Sequence, residues 1–131
     1  RPKALNQLHN WYSQKASKGK NGFYSFDEFK TWYDSQKKTC NYCGISEEEC
    51  QEIIMSGLLK SKRFPKDGIP GPGTSRGVWL EVDRKDSNLQ YTTDNCVLCC
   101  YFCNNDKSDI FNEEQYREFL YKRSEYLKGL L

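Results

Sequence analysis

Seven cysteines are the residues of this chain whose type and spacing most constrain its chemistry. Four of them form two C-x₂-C pairs, Cys40-Asn41-Tyr42-Cys43 and Cys100-Tyr101-Phe102-Cys103. Each pair is a knuckle able to present two thiolates to one tetrahedral zinc. The stretch between the pairs is too long for a zinc ribbon, so the fold must bring them together. Cys96 and Cys99 make a further C-x₂-C, but on an extended apolar run side chains at i and i+3 point to opposite faces. The expected ligands of one zinc per chain are therefore Cys40, Cys43, Cys100 and Cys103, with Cys50, Cys96 and Cys99 as small buried thiols. The odd count and the Lys-rich chain argue against a disulfide framework. Four thiolates leave zinc no open position, so this metal is structural and the chemistry must lie elsewhere.

Between the knuckles run Leu80-Glu81-Val82-Asp83-Arg84-Lys85-Asp86, then Tyr91, then Asn95-Cys96-Val97-Leu98-Cys99-Cys100, closing on Cys103-Asn104-Asn105-Asp106-Lys107-Ser108. This order resembles the HNH (ββα-metal) endonuclease family. The resemblance spans about residues 25–112 and includes Trp32-Tyr33 and Tyr42-Cys43-Gly44-Ile45-Ser46 upstream. It implies that Asp83 and Asn104 hold a catalytic Mg²⁺ or Mn²⁺, and that Asn95 braces the intervening loop. Arg84 stands where most members carry the general-base histidine. Arginine stays protonated at any workable pH and cannot deprotonate water. The pattern is nevertheless similar to restriction-type members that pair an Arg with a nearby tyrosine implicated in the chemistry, here Tyr91. His9, the one histidine, lies far upstream.

The residue types agree with that implication. One carboxylate and one amide oxygen make a sparse, hard, hydrated site suited to Mg²⁺, which keeps open positions for phosphate oxygens. Arg84 would clamp a phosphate through two parallel hydrogen bonds. Tyr91 would orient water, deprotonate it or attack directly, although a phenol with a reference pKa near 10 needs activation. Lys85 and Lys107, with Lys62, Arg63 and Arg76 upstream, are candidate phosphate contacts. The net charge of +2 conceals blocks: residues 1–42 and 60–79 are basic, 44–59 and 80–106 acidic. Basic segments around an acidic metal site suit a polyanion such as double-stranded DNA.

Several elements must position these groups. Leu5, Leu8, Trp11 and Tyr12 predict a helix over 4–17. Ser25 through Glu28 and Ser46 through Glu49 are capping boxes, the second opening a helix over about 46–60. The Pro- and Gly-rich run from Pro65 to Gly73 is a loop. Strands are expected at 78–82 and 96–99 and a short helix from Tyr101 or Phe102. A last helix over 113–127, capped by Asn112 and Gln115, should turn Tyr116, Phe119, Leu120 and Leu127 inward.

The expected architecture is α+β: one domain over 1–131, with a zinc-stabilised ββα-metal core at 40–109. DNA-contacting helices at 1–38, an insertion at 46–77 and a C-terminal helix at 112–131 flank it. No run approaches 18 apolar residues and no apolar leader follows Arg1-Pro2-Lys3, so a membrane span is excluded and a cytoplasmic protein, bacterial or phage-encoded, is expected. The leading functional expectation is a Mg²⁺-dependent, sequence-specific endonuclease acting as a homodimer, with contacts through the C-terminal helix and Leu130-Leu131. A catalytically silent zinc-stabilised nucleic-acid-binding module and a nicking or homing HNH nuclease are the alternatives.

Overall fold

A computed structural model describes residues 2–131. Its order is α1 Leu5–Ser17, α2 Phe26–Ser35, α3 Glu47–Met55, β1 Glu81–Arg84, β2 Cys96–Cys99, α4 Tyr101–Lys107 and α5 Glu113–Lys128. The two strands pair antiparallel in the register Glu81↔Cys99 through Arg84↔Cys96. With α4 following directly, β1, β2 and α4 form the expected ββα unit, and the whole is the expected α+β arrangement.

Helix starts follow the capping chemistry. Ser25 Oγ accepts from Glu28 N at 3.2 Å. Ser46 and Glu49 exchange bonds of 3.0 and 2.9 Å, as do Asn112 and Gln115 at 2.8 and 3.0 Å. Each box satisfies N–H groups that a helix end otherwise leaves unpaired.

Two elements differ from expectation. Helix α3 stops at Met55 because Gly57 turns into the left-handed region at φ 74°, leaving Leu58 and Leu59 exposed. The first strand begins at Glu81 rather than residue 78. Its four-residue partner ends at Cys99, opposite Glu81, and the Leu80 amide donates instead to the buried Glu47 carboxylate at 3.0 Å. Val78, Trp79 and Leu80 are still buried, as an apolar run rather than as strand.

The main core joins α1 and α2 to the ββα unit. Phe29 is fully buried, stacked on Trp11 at 4.6 Å between ring centres, with Phe23 edge-on at 5.2 Å. A second apolar cluster, Ile54, Phe64, Val78, Trp79 and Tyr101, seats the segment 46–77 against the start of α4. In α5, Tyr116 is fully buried and Leu120 packs on the core, but Leu127 is exposed and Phe119 partly so. The distal half of α5 has no apolar layer beneath it to receive them.

Replacing Phe29 by Ala removes the residue that both N-terminal helices pack around. The expected loss is about 3–5 kcal/mol, read in thermal denaturation as a fall on the order of 10 °C. A shift of only a degree or two would show that α1 and α2 are not held through this ring.

Candidate functional site

The four knuckle cysteines converge: their Sγ atoms all lie within 4.8 Å of one another. The Cys43–Cys100 pair is 3.8 Å apart, close to the roughly 3.8 Å edge of a tetrahedron built on Zn–S bonds of about 2.3 Å. Backbone amides turn toward the sulfurs, Cys103 N to Cys100 Sγ at 3.3 Å and Tyr42 N to Cys40 Sγ at 3.4 Å. The thiols of Cys100 and Cys103 lie within hydrogen-bonding reach of Cys40 and favour its thiolate, lowering its pKa. Soft donors in this arrangement can hold a structural metal such as zinc. Cys50, Cys96 and Cys99 stay outside the cluster, and burial raises all three, Cys50 to about 11 and Cys96 to about 12.

The first knuckle reaches directly into the next layer. Tyr42, between Cys40 and Cys43, donates its hydroxyl to Asp83 Oδ2 at 2.8 Å. Lys107 Nζ lies 3.3 Å from the same oxygen and donates to the Arg84 carbonyl at 2.9 Å. Lys107 is completely buried, so the expected phosphate contact is instead the internal counter-charge of Asp83. Burial raises the Asp83 pKa; Lys107, Tyr42 and Arg84 oppose it without cancelling it.

Asp83 opens onto a cavity of about 480 Å³ shared with Arg84, Tyr91 and Asn104. Arg84 lies over the Tyr91 ring, 4.8 Å from its centre, and donates to the Leu89 carbonyl at 3.1 Å. Tyr91 is buried, meets Trp11 edge-on at 5.0 Å, and has a raised pKa through desolvation, countered by the Arg84 cation. Its backbone is clamped from outside the ββα unit: Gly22 N donates to Tyr91 O at 2.7 Å. A Cβ on Gly22 would lie 2.8 Å from Thr92 Cγ2 and 3.0 Å from Tyr91 O, so only glycine allows this approach. Asn95 ties down the loop by donating to the carbonyls of Asp86 and Gln90, at 3.0 and 2.9 Å, and accepting from Asp86 N at 3.1 Å.

Asn104 donates from Nδ2 to Glu81 at 2.8 Å, and its Oδ1 takes no hydrogen bond among the described residues. Asp83 and Asn104 line one cavity and both carry hard oxygen donors, a set that fits a sparsely ligated Mg²⁺ or Mn²⁺. The cavity wall also carries Lys3, Lys15 and Arg76. Burial, then Lys18, Lys20 and Arg84, lowers the Lys15 pKa. Cations crowded until they repel one another suit an anion.

The remaining candidates lie elsewhere. Lys85, one residue past the end of β1, lines a different concavity, beside Asp27 and Thr31. Arg63 donates to the Tyr101 hydroxyl at 3.0 Å, and neither it nor the exposed Lys62 lines the cavity. Arg76 lines it but is forked onto Glu81 at 2.7 and 2.8 Å. His9 stacks on Phe26, outside the cavity. Tyr42, Glu81 and Lys15 were not singled out from sequence. The alternation of Glu81 and Asp83 was the available signal for one; the contacts of the other two are tertiary.

Lys107→Met would leave the Asp83 carboxylate buried without its partner, an expected loss of about 3–5 kcal/mol. Adding Asp83→Asn should recover most of it in urea denaturation. Equal stability of Lys107→Met and wild type would contradict the buried pair.

No family model matches the chain, and no curated protein matches it in sequence. Among solved structures it is similar to the rare-cutting HNH restriction endonuclease PacI, at 24% identity and a TM-score of 0.66, over 98% of this chain and 92% of that one. The resemblance carried by Asp83, Asn95, Asn104 and the paired knuckles is therefore a resemblance of fold as well: this chain folds as an HNH restriction endonuclease does.

Proposed function

We propose that the protein is a metal-dependent endonuclease that hydrolyses phosphodiester bonds in double-stranded DNA, with a structural zinc on Cys40, Cys43, Cys100 and Cys103. The observation that carries this reading is the sharing of one cavity by Asp83, Asn104, Arg84 and Tyr91 amid further cations. The activity of the similar restriction endonuclease supports it.

Asp83 and Asn104 would hold Mg²⁺ or Mn²⁺. Bound there, the cation would stabilise charge building on the phosphate and on the leaving 3′ oxygen. Arg84 keeps N–H donors beyond its bond to Leu89 and binds the scissile or neighbouring phosphate. Lys15 and Lys3 extend that grip along the cavity wall, which gives the N-terminal helix its DNA contact. Tyr91 places or activates the nucleophile, with Arg84 as the adjacent cation that favours loss of its proton. Because one subunit has one such site, two copies would cut the two strands of a recognised sequence. The exposed Leu127, Leu130 and Leu131 are the proposed contact between copies.

Plasmid cleavage tests the reading. Asp83→Ala and Asn104→Ala should each abolish Mg²⁺-dependent cleavage and leave zinc content intact, and EDTA should stop the wild type. DNA that is bound but left whole under every divalent cation would favour the silent binding module.

Tyr91→Phe should slow cleavage by about 100-fold, the typical size of acid–base work. With the Tyr91 pKa above its usual 10, the wild-type rate should climb through alkaline pH and the Phe variant should lose that climb. In the metal-free protein Asp83 should take up a proton above the ordinary carboxylate range, because burial raises its pKa, so Mn²⁺ binding should weaken as the pH falls. A near-wild-type rate and profile for Tyr91→Phe would remove Tyr91 from the chemistry.

A further inference from the structure

Residues 47–77 have no counterpart in the motifs that carry the HNH resemblance, yet the segment 46–77 touches the proposed metal site at one point. Arg76 reaches Glu81 with two parallel bonds of 2.7 and 2.8 Å, and Glu81 accepts from Asn104 Nδ2 at 2.8 Å. Glu81 stands two residues before Asp83, so both project to the face of β1 on which α4 lies. Each meets its own residue of that helix, Asn104 for Glu81 and Lys107 for Asp83.

The direction of these bonds matters chemically. An ionised carboxylate only accepts, so the end of the Asn104 amide facing Glu81 must be the NH₂. The other end, Oδ1, is the only atom of that side chain able to ligate a hard cation. Glu81 thereby excludes the flipped amide, which would present a donor where a ligand is required. Glu81 is held in turn: its side chain is only 17% exposed, and Arg76 grips both of its oxygens.

Arg76 is itself built in. Its backbone N–H donates to the Arg63 carbonyl at 3.0 Å, and its guanidinium lies over the Tyr101 ring at 4.7 Å. Tyr101 packs edge-on against Phe64 at 5.6 Å, and its hydroxyl accepts from Arg63. Gly77, at φ 89°, lets the chain pass against Ile54 of α3, where a Cβ would come within 3.1 Å of that side chain. A separate apolar cluster thus aims one arginine at one carboxylate.

We propose that segment 46–77 serves the metal site: through Arg76 it fixes Glu81, and Glu81 is a positioning residue that holds the Asn104 amide with its oxygen free to ligate. The inference rests on the reading of Asp83 and Asn104 as metal ligands. It also predicts a sign. If Glu81 positions Asn104, loosening Arg76 weakens metal binding. If Glu81 is instead a ligand held off by Arg76, freeing it strengthens binding.

The test is calorimetric titration of Mn²⁺ into zinc-loaded protein without DNA, alongside thermal melts and zinc content for each variant. Glu81→Gln, which can turn its own NH₂ toward Asn104, should weaken Mn²⁺ binding by about tenfold, the lower end for residues that orient a ligand. Arg76→Met should weaken it in the same direction, and the double variant should be no weaker than Glu81→Gln alone. Arg76→Lys, which keeps the charge without the fork, serves if Arg76→Met melts early and should also bind more weakly. Unchanged affinity in Glu81→Gln, or tighter binding in either Arg76 variant, overturns the proposal. Asp83→Ala and Asn104→Ala separate this failure from that of the parent reading: if they too leave Mn²⁺ binding unchanged, the metal site itself is wrong.

Discussion

The convergence of four sulfurs from two distant knuckles is the constraint on which the rest of this structure depends. Cys43 and Cys100 are 57 positions apart in sequence, and their sulfurs are 3.8 Å apart in space. That closure is also a closure of the site. Tyr42, inside the first knuckle, bonds Asp83, and Asn104 follows immediately after the last cysteine of the second. A bound zinc at this point would couple the folding of the ββα unit to the placement of both oxygen donors, because ligand geometry and strand register are fixed together. In a chain of 131 residues, that substitutes metal ligation for part of a hydrophobic core.

Around this closure the charges are arranged by depth. Asp83 is deep, nearly dry and raised in pKa, and the wholly buried Lys107 compensates it from behind. Arg84 and Lys15, both half-buried, lie on the wall of the cavity, and Lys3 lines it from a more desolvated position near Glu81. The inner cation keeps a carboxylate tolerable inside the protein; the outer ones face what enters. The mild net charge of +2 averages over this separation and conceals it.

Much of the fold was legible because its signals are local. Ser25, Ser46 and Asn112 cap helices through bonds to residues three positions on, and a C-x₂-C pair declares its geometry within four residues. The Asp83, Asn95 and Asn104 pattern marked the ββα unit through its resemblance to the HNH family, not through a local signal. What could not be read was set by partners distant in sequence. Val78 to Leu80 have strand character, but Glu47, 33 positions away, takes the Leu80 amide that a strand would have used. Lys107 reads as a phosphate contact on a short helix until β1 is laid against it. Lys85 and Arg84 look equivalent in sequence but line different concavities. Leu127 has helical spacing but no layer beneath it.

Cleavage in this cavity, as proposed, would break the bond between a phosphate and a 3′ oxygen in DNA under the control of a divalent cation. Sequencing both ends of plasmid fragments, after incubation with the zinc-loaded protein and Mg²⁺, addresses it most directly. Double-strand breaks are expected at one recurring sequence, with 3′-hydroxyl and 5′-phosphate termini, and should vanish in EDTA. Breaks persisting in EDTA, termini with a 3′-phosphate, or no breaks with any divalent cation would contradict the proposal.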